Sequence, residues 1–253
     1  MAVVSLNKVS KAFGSHVAVN DLSLDIIQGE FLTLLGPSGC GKTTVLRLMA
    51  GLETCDAGQI FIQGKDHTQI PACHRNVNTV FQSYALFPHM DVFDNIAFGL
   101  SLKKEDKKKI KTRVKDALAM VRLSGLENRK INQLSGGQQQ RVGIARALAV
   151  EPDLLLMDEP FSALDAMTRR SLQDEIRRIW EETRTTILFV THDVEEAVLL
   201  ADRIILLAGS PATAVEEYRP TARRPRRAED GEFQELCRRI RSDLYAYHSP
   251  PEP

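Results

Sequence analysis

Glu30-Phe31-Leu32-Thr33-Leu34-Leu35-Gly36-Pro37-Ser38-Gly39-Cys40-Gly41-Lys42-Thr43-Thr44 is the stretch on which the reading of the whole chain turns. Its first six residues form an apolar run suited to a buried strand. Gly36–Thr43 fits G-x-x-x-x-G-K-[ST], the spacing of phosphate-binding loops. From Thr43 onward Val45, Leu46, Leu48 and Met49 recur at helical spacing, and Gly51 stops them. Strand, glycine-rich loop and helix in that order give the motif its physical context. The bland alternative is a glycine-rich turn that happens to contain Lys-Thr.

Each residue type has its own work in such a loop. Gly36, Gly39 and Gly41 open backbone angles closed to other residues and let amides approach phosphate oxygens. The helix amino terminus adds positive potential. Lys42 is placed to reach β- and γ-phosphates, and the Thr43 hydroxyl to ligate Mg²⁺. Cys40 reads as a small filler.

At 253 residues the chain has ample length for a buried core, as one large domain or two small ones. Its 33 basic residues balance 33 acidic ones, so bulk charge argues for no nucleic acid or anionic surface. Cys40, Cys55, Cys73 and Cys237 lack metal-ligand spacing, and reduced thiols in the cytoplasm are expected. Val194–Ala208 is the closest approach to a membrane span, and four charged residues interrupt it. The amino terminus carries no secretory signal pattern.

Along the chain, Val3–Gly29 reads as short strands with a turn near Phe13-Gly14-Ser15. Phe13 suits stacking on an adenine ring or a place in the core. Gly58–Gly64 alternates as an antiparallel edge strand would. Asn76–Phe81 reads as a strand ending at Gln82, whose carboxamide suits Mg²⁺ or an attacking water, or merely starts a loop. Asp91–Leu126 is helical, and Lys103–Lys115 reads as a solvated face. Ser135, with Gln138 three residues on, is a capping-box start for a helix from Gln139 to Ala149. Together with Gly136 and Gly137 it also forms an anion site at a positive helix end.

Leu154–Met157 is a buried strand ending in Asp158-Glu159, a carboxylate pair at the end where open α/β sheets bind ligands. Asp158 suits Mg²⁺, directly or through water, and Glu159 suits polarising an attacking water. Ser162–Asp165 leads into a helix from Ala166 to about Thr183. Thr186–Val190 is a further strand with His192 directly after it, within reach of a γ-phosphate or merely capping the next helix. Ala201–Ala208 reads as the last strand. Arg223–Arg227 reads as a solvated linker, Phe233–Leu244 as a short amphipathic helix, and Ser249–Pro253 as disordered.

These motifs together resemble the ATP-binding subunits of ATP-binding-cassette (ABC) transporters, over about residues 3–208. Gly36–Thr43 resembles Walker A, Gln82 the Q-loop, Leu134–Gln138 the LSGGQ signature, and Leu154–Asp158 with Glu159 Walker B. Ser162–Asp165 resembles the D-loop, His192 the switch histidine, and Phe13 the adenine-stacking position. The resemblance implies an α/β P-loop NTPase fold: a RecA-like core sheet, an antiparallel β subdomain and a helical signature subdomain. It places the cassette at 1–208, the helical part at about 91–145, and a tail at 209–253.

The resemblance also implies the site. ATP is held by Phe13, Gly36, Pro37, Ser38, Gly39, Cys40, Gly41, Lys42, Thr43 and Thr44, and Mg²⁺ by Thr43, Gln82 and Asp158. Glu159, His192 and Gln82 are catalytic. Ser135, Gly136, Gly137 and Gln138 act in trans, and Asp165 crosses the seam of a dimer or paired cassette. Expected partners are permease subunits and, indirectly, an extracytoplasmic solute-binding protein, with the chain peripheral on the cytoplasmic membrane face.

Residues 29–53 and 80–90 resemble spermidine/putrescine-type importers. Residues 157–166 and 191–202 and the tail from Pro220 resemble nitrate, taurine and sulfonate importers. The short tail tips the expectation to the second type, with polyamine import the alternative and a soluble non-transport ABC ATPase the remaining rival.

Overall fold

The computed structural model describes residues 2–209 and 211–248, so the expectation for Ser249–Pro253 lies outside the described residues. The chain forms two compact bodies: residues up to Val77 together with those from Thr185, and Asn78–Arg184 between them in sequence.

The first body holds two sheets. β1 (Ala2–Phe13) and β2 (His16–Ile27) form a long antiparallel hairpin with Phe13 opposite His16. β1 also pairs with β4 (Ala57–Ile62), and β4 with the two-residue β5 (Lys65–Asp66). β4 is therefore an interior strand, not the edge its alternation suggested. The edge is blunted by shortness instead. In the other sheet every residue of β3 (Phe31–Leu35) is buried. β3 lies parallel to β8 (Ile187–Thr191) on one side and β9 (Arg203–Ala208) on the other, so both its faces and both its edges are covered.

β9 is not the last strand. β10 (Thr213–Tyr218) turns back antiparallel to it, giving the run β10-β9-β3-β8. Only Tyr218 of β10 is buried, so its sequence lacks an apolar signal. Among the described residues three α-helices belong to this body: α1 (Lys42–Ala50), α6 (Val194–Leu200) and α7 (Gly231–His248), the last longer than the expected 233–244. α1 ends where Gly51, at φ 74°, turns its amide onto the carbonyls of Arg47 and Leu48.

The second body sets β6 (Val77–Val80) beside β7 (Leu154–Asp158). Its helices are α2 (Val92–Leu102), α3 (Lys107–Met120), α4 (Gly136–Ala149) and α5 (Ala166–Thr183). α2, α3 and α4 pack on one another. Each of the four starts at a side-chain cap: Asp91, Asp106, Ser135 and Asp165. α4 begins at Gly136, three residues before the expected Gln139, because the Ser135 cap starts the helix at once. Among the described residues no helix is long and apolar enough to cross a membrane.

Candidate functional site

Leu35 and Thr191 are register partners on adjacent parallel strands, so Gly36 and His192 leave the sheet at the same end. That end is the carboxyl end, where open parallel sheets hold ligands. The phosphate loop is pressed into the body by backbone contacts. A Cβ at Gly36 would stand 2.3 Å from the Leu207 carbonyl oxygen. One at Gly41, where φ is 93°, would stand 2.6 Å from that of Ala18.

Lys42 is buried, and its Nζ donates to the carbonyls of Gly36 and Pro37, each at 2.7 Å. These bonds hold the ammonium across the mouth of its own loop. Cys40 is buried too, and burial pushes its thiol above the ordinary value, as suits a filler. Gly41 is the amino-terminal cap of α1 and brings no side chain to its first-turn amides. Ser38 and Thr43 are exposed.

Phe13 stands 49% exposed at the hairpin tip, with the Lys11 ammonium 5.2 Å from its ring centre. β2 lies between Phe13 and β3 in sequence, so Phe13 does not directly precede the phosphate-loop strand. The same hairpin nevertheless meets the loop where Gly41 abuts Ala18. His192 is exposed, and its neighbours are fixed: Thr191 Oγ1 donates to Glu196 Oε2 at 2.8 Å, and Asp193 caps α6.

The second body gathers the other motifs. β6 stops at Val80, so Gln82 is an exposed loop residue rather than a strand end. Just beyond it Tyr84 and Ala85 have φ of 62° and 47°, a left-handed pair that needs outside support. Arg146 of α4 supplies it, donating to the carbonyls of Ala85 (2.8 Å) and Tyr84 (3.3 Å) while lying 5.5 Å from the Phe87 ring centre. Burial lowers the pKa of this guanidinium.

Ser135 and Gln138 form the expected capping box: Ser135 Oγ accepts from the Gln138 amide, and Gln138 Oε1 from the Ser135 amide. A Cβ at Gly136 would lie 3.2 Å from the Tyr84 hydroxyl, and one at Gly137 2.6 Å from Thr168 Cγ2. The two glycines thus let the signature turn sit close between Tyr84 and the start of α5. β7 is buried up to Met157, and Asp158 is half-buried at its end.

Glu159 follows at φ 44°, strained as functional residues often are. Its carbonyl accepts from the amide and hydroxyl of Ser162, and the next carbonyl, Pro160, accepts from Gln140 Nε2 at 2.7 Å. Asp165 accepts from the amides of Met167 and Thr168. The hydrogen bond from the Thr168 side chain, and after it those from the backbone amides, lower its pKa.

Gln140 and Arg146 are the supports that sequence reading missed. Gln140 is fully buried and shares a helical stripe with Ile144 and Ala147. A polar residue on an apolar stripe was the signal available.

Thr43 in the first body, and Gln82 and Asp158 in the second, each carry a side-chain oxygen of the kind a hard cation takes. Among the described residues no group of three His, Cys, Asp or Glu could hold a metal by itself. Oxygen ligands of this chemistry suit Mg²⁺, which characteristically keeps waters and substrate phosphates in its shell.

The family model described as "ABC transporter" matches residues 19–162. The spermidine/putrescine import ATP-binding protein PotA of Vibrio parahaemolyticus is 53% identical over 222 residues, covering 85% of this chain. The chain spans 59% of that relative's length. Among solved structures, the dimeric MJ0796 bacterial ABC transporter cassette is 31% identical at a TM-score of 0.76, over 87% of this chain and all of that one. A dimeric post-hydrolysis state of MJ0796 bound to ADP and Pi is 32% identical at 0.74, with the same coverage. Phosphate loop, capped signature turn, carboxylate-tipped strand and family model all agree, and the chain belongs to the ABC transporter family as one of its ATP-binding cassettes.

Proposed function

We propose that the chain hydrolyses ATP to power solute import through a separate transmembrane permease, with polyamines as the solute class. The observation carrying this reading is the 53% identity to a polyamine-import ATPase over 222 residues. That match runs through both halves of the cassette, which favours the polyamine type over the nitrate/sulfonate/taurine type.

In the reaction the amides of residues 38–44 and the Lys42 ammonium hold the β- and γ-phosphates, with Gly36 and Pro37 shaping the loop and Phe13 against the base. Thr43, Gln82 and Asp158 would hold Mg²⁺, which supplies neutralisation of charge on the phosphate oxygens. Glu159 orients the attacking water and accepts its proton, and His192 donates to the γ-phosphate. Ser135, Gly136 and Gly137 serve the nucleotide of a second copy, so ATP draws two chains into a dimer, with Asp165 at its seam. The cassette works on the cytoplasmic membrane face, and a solute-binding protein acts on it through the permease.

The test is reconstitution with the membrane subunits of a polyamine-type permease. Spermidine with its binding protein should stimulate ATP hydrolysis, and Glu159→Gln should abolish hydrolysis while leaving MgATP binding intact. No association with the permease, or undiminished turnover by the Glu159 variant, contradicts the reading.

A further inference from the structure

α6 begins two residues after His192, and its far end is held by the carboxyl-terminal segment. Arg226 is 6% exposed. Its Nη1 donates to the carbonyls of Val198 (2.8 Å) and Ala201 (2.7 Å), and at 3.4 Å to that of Leu199. These are last-turn carbonyls, which have no partner within a helix. Arg224 donates to the Leu200 carbonyl at 2.5 Å and to Asp202 Oδ1 at 2.6 Å. Asp202 Oδ2 in turn accepts from the Phe31 amide at the start of β3.

The run Arg223–Arg227 is therefore no solvated linker: two of its arginines face inward and cap a helix. α7 covers the same helix. Phe233, Cys237 and Ile240 join Val194, Ala197 and Val198 in one buried cluster, and Arg241 pairs with Glu195 at 2.7 Å.

The near end of α6 is tied to the residues flanking His192. Thr191 Oγ1 donates to Glu196, and Asp193 Oδ1 accepts from the amides of Glu195 and Glu196. A seven-residue helix is too short to hold itself, so its position is set by what caps and covers it.

We propose that residues 219–248 are a positioning element for His192, acting through α6. By capping the last turn and covering the outer face of that helix, they fix where Thr191 and Asp193, and hence the histidine between them, stand. The inference rests on the reading of His192 under Proposed function. The arginines are positioning residues and take no part in the chemistry.

The experiment is steady-state ATP hydrolysis by the full chain carrying Arg226→Ala, Arg224→Ala, His192→Ala or each arginine change combined with His192→Ala. Each variant is checked for a native circular-dichroism spectrum at the assay temperature. Arg226→Ala should lower kcat about tenfold with KM for ATP within about twofold, and should lower it no further in the His192→Ala background. Should Arg226→Ala fail to fold, Arg224→Ala carries the same comparison. An equal loss with and without His192, or unchanged kcat in the folded arginine variants, overturns the inference alone. A His192→Ala chain with undiminished kcat overturns the reading of His192, and this inference with it.

Discussion

Gly41 shows how much a single residue of the phosphate loop carries. Its φ of 93° is closed to side chains without strain, and a Cβ there meets both the Ala18 carbonyl and the Ala212 methyl. Gly41→Ala should therefore destabilise the chain by about 1–3 kcal/mol and weaken ATP binding, read by urea denaturation and nucleotide titration. Native-like affinity with unchanged stability would contradict the contact geometry. This glycine was legible in sequence because the motif fixes both its spacing and its reason. Arg224 and Arg226 were not. A run of arginines around a proline has the composition of a linker, and the carbonyls that consume them lie more than twenty residues back.

Among the elements, those with an apolar period or a side-chain cap could be read directly. α5 runs from Ala166 to Thr183 as expected, because Asp165 caps it and its apolar stripe is regular. β10 escaped because one face of a polar edge strand carries no burial pattern. The sequence of β4 suggests an edge because alternation reports a half-buried face and says nothing of neighbours. Asp165 also gives α5 a pH signature. Its folded pKa lies below the ordinary carboxylate value of 3.8 through the hydrogen bond from Thr168. The stabilisation is therefore present above the unfolded value and is lost as pH falls through the folded one. The gap in melting temperature between the native chain and Asp165→Ala should be widest near neutrality and close as pH drops below the carboxylate range. A gap constant across that range would remove the charge from the account of this cap.

At the scale of the molecule, the motifs divide between the two bodies, with Gly36–Thr44 and His192 in one and Gln82, Ser135–Gln138, Asp158 and Glu159 in the other. On the dimer reading, each chain lends its signature to its partner. Lys42→Ala and Ser135→Arg chains, each inactive alone, should then regain activity when mixed. Random pairing makes half the dimers mixed, each with one intact site, so about a quarter of native turnover is expected. No recovery on mixing would argue against signature donation.

The order in which β3 finds its neighbours also bears on how the chain is made. Both strands that flank β3 leave the ribosome long after it does; Gly29 bonds to Thr186, 157 residues on. At about 5–20 residues per second, the nascent segment waits roughly ten to thirty seconds for them. During translation the middle body can close first, while apolar β3 still lacks both its neighbours.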